Sequence, residues 1–220
     1  MTRKTFLAGA ALVAGLLPSA ASAATVFSED FSGATPGGSY TAQVAGTQFT
    51  ASGSNVDIVG VRNGSFYACV ANPSGNCLDT VGDQGPGVTV TSTAFAVTAG
   101  TTYTLSFDEI LQGFSPTDLA VSTYTASVDG FTQLFTSTPN VATRTFSFTP
   151  LVSTSVATLA FNVLTSPDAV HGPVLSNIAI TSADVPAVPE PASWAMMIVG
   201  VGLIGAGLRY RQRNTVLRYV

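Results

Sequence analysis

The stretch "TYTLSFDE", Thr102–Glu109, alternates without a break: Tyr103, Leu105 and Phe107 fall on one side of an extended chain, Thr104, Ser106 and Asp108 on the other. Successive side chains of a strand point to opposite faces, so this pattern predicts a strand buried on one face and wet on the other. The same parity sets the neighbours Asp108 and Glu109 on opposite faces. "RTFSF" repeats the pattern with Phe146 and Phe148, "SVATLAFNVL" aligns Ala157, Leu159, Phe161 and Val163, and "PVLSNIAITS" aligns Val174, Ile178 and Ile180. In "TYTASVDGFTQLF", Asp129-Gly130 separates two such runs, and both residues tolerate positive φ, which predicts a tight hairpin. Pro36-Gly37-Gly38, Pro73-Ser74-Gly75, Gly85-Pro86-Gly87, Ala99-Gly100 and Ser166-Pro167 punctuate the rest into about nine to eleven short strands. The expected fold is all-β, an antiparallel β-sandwich of the jelly-roll kind. Roughly 160 residues suffice for one core between two sheets, and no internal repeat points to a β-helix or propeller.

Charge is scarce and unevenly placed. Only 9% of the 220 residues are charged, and Lys4 is the sole lysine. Between Ala24 and Val188, Arg62 and Arg144 stand against eleven Asp and Glu, a formal charge of −9. Phosphate neutralisation needs Lys and Arg, so nucleic acid is excluded as a partner.

Both ends read as processing signals. Arg3 and Lys4, an apolar run from Thr5 to Leu17, Pro18 and then Ala21-Ser22-Ala23 form a secretory signal peptide over 1–23, with cleavage after the small residues Ala21 and Ala23. The exported domain then covers 24–184 and a proline-rich linker 185–191. Residues 192–208 hold no charge, and at ~1.5 Å per residue they span ~25 Å, the short end of what a bilayer accepts. Trp194 suits the outer interface, and Arg209, Arg211 and Arg213 in the 209–220 tail suit the cytoplasmic side. The expectation is a single transmembrane helix, with the membrane as a transient partner.

Pro189-Glu190-Pro191, a two-residue spacer, Trp194-Ala195-Met196-Met197, a short apolar helix and the arginines resemble a PEP-CTERM sorting signal of Gram-negative bacteria, in its PEPxxWA variant. The resemblance implies an exosortase-type membrane transpeptidase as partner. It also implies a precursor anchored in the inner membrane and then moved to the cell surface or extracellular matrix, in cells that make polysaccharide and biofilm. Two prolines hold an extended segment that suits a protease cleft; the same prolines would also serve a permanently anchored protein as a linker.

"VTAGTTYTLSF" (Val97–Phe107) and "GPVLSNIAIT" (Gly172–Thr181) resemble strands of jelly-roll carbohydrate-binding modules. "NCLDTVGDQGPGV" (Asn76–Val88) resembles a segment of surface-anchored proteins with a galactose-binding-like fold. Cys69 and Cys77, the only cysteines, read as a disulfide in an oxidising compartment.

Catalytic signals are thin. His171, the single histidine, follows Asp168 in a loop, and no Gly-x-Ser-x-Gly elbow accompanies it. Glycosidases need two carboxylates facing one bond, which Asp108 and Glu109 cannot supply from opposite faces. Glu29, Asp30 and Asn177 offer oxygen ligands of the sort a structural calcium takes, with no EF-hand loop present. No catalytic residue, cofactor or metal ligand is therefore assigned, and the ligand-binding residues are unknown. Tyr40, Tyr67 and Tyr124 are candidates for stacking on sugars, and each reads equally well as a half-buried strand residue. The expected function is a non-enzymatic, polysaccharide- or biofilm-associated surface protein. The alternatives are a passive structural or adhesive protein without a sugar site, an ice-binding protein and a hydrolase. The threonines of "VTVTSTAFAVT" favour ice binding if they form regular ranks.

Overall fold

The computed structural model describes residues 23–60, 69, 75–113, 118–183 and 191–213, with side chains of the last segment described over 194–210. The signal peptide, Tyr67, the turn residues Pro73 and Ser74, and Pro189 and Glu190 lie outside the described residues. The chain divides into two units: Ala23–Asp184, and Met1–Ser22 with Val185–Val220.

In the first unit the strands are β1 (Thr25–Glu29), β2 (Ser39–Tyr40), β3 (Phe49–Ser52), β4 (Val56–Gly60), β5 (Asn76–Asp79), β6 (Thr89–Ser92) and β7 (Phe95–Val97). They continue with β8 (Tyr103–Leu111), β9 (Ser122–Val128), β10 (Phe131–Ser137), β11 (Ala142–Phe148), β12 (Thr154–Ala157), β13 (Leu159–Thr165) and β14 (Pro173–Ser182). The larger sheet runs β11-β8-β14-β5-β4-β2, with β1 also on β14; the second runs β10-β9-β13-β6-β3; β12 and β7 form a short ribbon. Every described pairing between named strands is antiparallel. The result is the expected β-sandwich, with more strands than the turn signals suggested because β2, β3, β5, β6, β7 and β12, four residues or shorter, hardly show a period of two.

Alternation holds where it was read. Tyr103, Leu105 and Phe107 are buried, and Asp129 (φ 48°) and Gly130 (φ 84°) close the β9–β10 hairpin with Val128 opposite Phe131. β14 departs from it. Leu175, Ile178 and Ile180 enter the core, whereas Val174 faces the other way, against Cys69 and Cys77. The cause is a bulge: Ser176 pairs with Asp108 and Ala179 with Ser106, so β14 carries one extra residue. Asn177 absorbs it at φ 49°, and its side-chain amide donates to Asp108 Oδ2 at 2.8 Å.

Among the described residues the buried main core runs from Phe27 to Ile180. Phe107 meets Phe161 edge-on at 5.2 Å and Phe135 at 5.4 Å, tying the two sheets. Edge-on rings add about 0.5–1.5 kcal/mol per pair beyond area burial. Into this apolar layer projects Glu109 of β8. It accepts hydrogen bonds from the Tyr124 hydroxyl and from Arg144 Nε (2.6 Å), while Arg144 Nη2 donates to the Thr136 carbonyl at 2.7 Å. Burial pushes the Glu109 carboxyl up, against the lowering effect of Tyr124 and Arg144. Burial and the Glu109 charge raise the Tyr124 hydroxyl as well. The network joins β8 and β11 of one sheet to β9 and β10 of the other.

Cys69 and Cys77 form the expected disulfide, with Cα atoms 5.6 Å apart. In the second unit α1 (Pro191–Arg213) is a helix whose described side chains, Trp194 to Tyr210, are all exposed. Among the described residues no helix is long and apolar enough to cross a membrane.

Candidate functional site

Two features of the sandwich could meet a ligand. The first is the outer face of the second sheet, built by strand register. One rank across it reads Thr50, Thr91, Ala160, Ser127 and Thr132, from β3 to β10. The next reads Ser52, Thr89, Asn162, Thr125 and Leu134, and a third sets Thr165 beside Thr123 and Thr136. All are half-buried or exposed, and none is charged or aromatic. Ranks of this kind repeat at ~4.8 Å across strands and ~6.8 Å along them. Thr123 and Thr165 share a hydroxyl–hydroxyl bond of 2.6 Å. The face offers hydroxyl and amide groups, each able to donate and accept, and no stacking platform.

The second feature is a cleft of about 820 Å³ on the other sheet, lined among others by Asp57, Asp79, Asp83, Gln112 and His171. Asp57 of β4 and Asp79 of β5 are direct partners in the ladder. Asp79 accepts from the Val81 amide at 3.1 Å and is 2% exposed. Burial raises its carboxyl well above the usual range, and the nearby Asp57 charge adds to this. At the cleft's edge Gly113 has φ +83°, and a Cβ there would run into the His171 ring.

The residues singled out from the sequence separate. Tyr124 is a core residue, 1% exposed, and offers no sugar platform, whereas Tyr40 packs half-buried against the core. Asp168 accepts from the amides of Val170 and His171, both at 2.9 Å, and faces His171 Nδ1 at 2.7 Å, which makes the pair a loop clasp. Glu29, Asp30 and Asn177 do line one hollow. However, the Glu29 oxygens accept from the amides of Phe31 (2.8 Å) and Gln48 (2.7 Å), and Asp30 accepts from Ser32 (2.9 Å). These bonds hold the β1 turn, and the Ser32 bonds lower the Asp30 carboxyl. Among the described residues no three His, Cys, Asp or Glu side chains group to hold a metal ion. Pro191 begins α1, Trp194 and Arg209 are exposed on it, and Arg211 and Arg213 close it.

The fold defines a jelly-roll β-sandwich followed by a helical tail. That tail carries a PEP-CTERM protein-sorting motif, matched by the protein-family model of that description over residues 187–212. Such a motif marks an exported precursor that passes a membrane. No curated protein matches the chain. Among solved structures it is similar to the CBM22-1 xylan-binding domain of Paenibacillus barcinonensis Xyn10C, at 15% identity and TM-score 0.46 over 76% of this chain and 99% of that one. It is also similar to TmCBM61 in complex with β-1,4-galactotriose, at 12% identity and TM-score 0.42 over 61% and 88%. A third is the Clostridium thermocellum Xyn10B CBM22-1-GH10 structure with xylohexaose, at 11% identity and TM-score 0.41, where the match spans 78% of this chain and 30% of the xylanase.

Proposed function

We propose that the chain is a substrate of an exosortase-type transpeptidase, delivered to the cell surface or matrix, where its sandwich associates without catalysis with neutral polysaccharide. The outer face of the second sheet carries the binding half of this reading. Its ranks of Thr, Ser and Asn match the donors and acceptors of a neutral glycan and lack the cations an acidic polymer would require. The domain's net charge of −9 over 24–188 further repels acidic polymers. Without aromatic stacking each contact is weak, so retention depends on many repeats along one polymer engaging many copies of the domain.

The same threonine ranks favour ice binding as a second reading. Neighbouring strands rotate by roughly 20–25°, which curves a five-stranded face and suits a single polymer chain better than a planar lattice. Affinity electrophoresis of residues 24–184 through neutral and acidic exopolysaccharides tests the proposal. Saturable retardation by a neutral polymer, lost in Thr91→Glu and Thr125→Glu, is expected. No retardation by any polymer overturns it, and thermal hysteresis with no retardation transfers the face to ice.

A further inference from the structure

We infer that the cleft between β4, β5 and the turn after β5 is a calcium site, held by the carboxylates of Asp57 and Asp79 and the side-chain carbonyl of Gln112. As ladder partners on one face, Asp57 and Asp79 have Cα atoms about 4.5–5.5 Å apart. Like charges placed directly opposite destabilise a sheet, and a buried carboxylate without a compensating charge costs more still. Arg144, the one arginine of the described β-domain residues, is committed to Glu109 on the core side. His171, also at the cleft, is engaged with Asp168.

A separate observation comes from a neutral group. Gln112 is 4% exposed and lines the cleft, and its Oε1 is buried with no hydrogen-bond donor among the described residues. Asp57 Oδ1 is in the same condition. Buried acceptors of this kind are nearly always satisfied. Two carboxylates and an amide carbonyl, all oxygen and all acceptors, are what a hard divalent cation takes up. Calcium accepts amide carbonyls and irregular geometry, whereas magnesium demands a near-ideal octahedron. Two carboxylates neutralise its charge, and the open cleft leaves room for water in the remaining positions.

The frame around the site is fixed by Asn55. Its carbonyl accepts from the Gly82 amide (3.1 Å), its side-chain oxygen from the Asp83 amide (3.2 Å), and its side-chain nitrogen donates to Ser39 Oγ (2.7 Å). The turn after Asp79 is therefore tied to the strand bearing Asp57 before any ion arrives. Glu29, Asp30 and Asn177 take no part, because their hollow is lined by other residues.

Thermal melts of residues 24–184 in 10 mM calcium chloride, 10 mM magnesium chloride and chelator test the site. Extracellular calcium modules bind with Kd of about 0.1–1 mM, which at this concentration raises Tm by about 3–11 °C for a domain of this size. Magnesium should give less than half that shift. Asp57→Asn and Gln112→Met should each weaken calcium at least tenfold in calorimetric titration, and Asp30→Asn should leave it unchanged. Equal melting in calcium and chelator overturns the inference. So does a calcium shift that survives Gln112→Met and Asp57→Asn, or one lost in Asp30→Asn, which would put the ion at the β1 turn.

Discussion

Replacing Arg144 by methionine removes the cation that the buried Glu109 carboxylate faces, while keeping most of the aliphatic bulk between the sheets. Two charge-assisted bonds go, to Glu109 at 2.6 Å and to the Thr136 carbonyl at 2.7 Å. Removing one partner of a buried pair costs about 3–5 kcal/mol. The Arg144 side chain is 31% exposed against 0% for Glu109, so the low end applies, about 3 kcal/mol at pH 7. For this size of domain that lowers Tm by about 6–12 °C. The cost is conditional on charge. Glu109 already has a raised pKa through burial, and losing Arg144 raises it further. A carboxyl raised on folding favours the folded state fully below its unfolded value, and that support is lost as pH rises through the folded value. The variant should therefore recover toward the parent as pH falls from 7.5 to 4.5, by up to about 1.4 kcal/mol per unit, and the Tm gap should at least halve. Melts of both proteins at several pH values, with Glu109→Gln/Arg144→Met as the neutral control, provide the measurement. A Tm gap equal at pH 4.5 and 7.5 would refute an electrostatic role for Arg144.

Asp79 obeys the same sign: burial raises its carboxyl, so its support for the fold is present below pH 4 and lost as pH rises. In chelator, Asp79→Asn should accordingly gain Tm relative to the parent between pH 4 and 7, and no relative gain in differential melts would contradict this. Reducing Cys69–Cys77 should cost about 2.5 kcal/mol, the chain-entropy value for so short a loop. A denaturant titration of Cys69→Ser/Cys77→Ser checks it, and an unchanged midpoint would show that the bridge adds nothing.

Period-two alternation was legible because one face of each long strand is fully committed to the core. It placed Glu109 in line with Phe107, and an acid on an apolar face implies a partner, yet nothing local names Arg144 or Tyr124, which arrive from β11 and β9. Val174 was misassigned to the face of Ile178 because the bulge at Asn177 reverses parity, and only the positive φ of that residue reveals it. The hydroxyl ranks were invisible for a different reason. Each strand contributes one to three Thr or Ser, and the array exists only once register aligns them. Tyr124 shows the converse: its ring reads equally as a sugar platform or a strand residue, and only the fold decides, turning it inward to Glu109. The cleft escaped notice because Asp57 and Asp79 are distant in sequence and Gln112 is unremarkable until buried.

The most direct measurement follows the tagged full chain in a Gram-negative host that processes PEP-CTERM substrates. Cells expressing the parent and Pro189→Ala/Glu190→Ala/Pro191→Ala would be separated into membrane, surface and matrix fractions. The parent should lose its C-terminal segment and reach the surface and matrix, bound to neutral polysaccharide, while the variant stays full-length with the membrane. Identical length and distribution for the two would contradict the account.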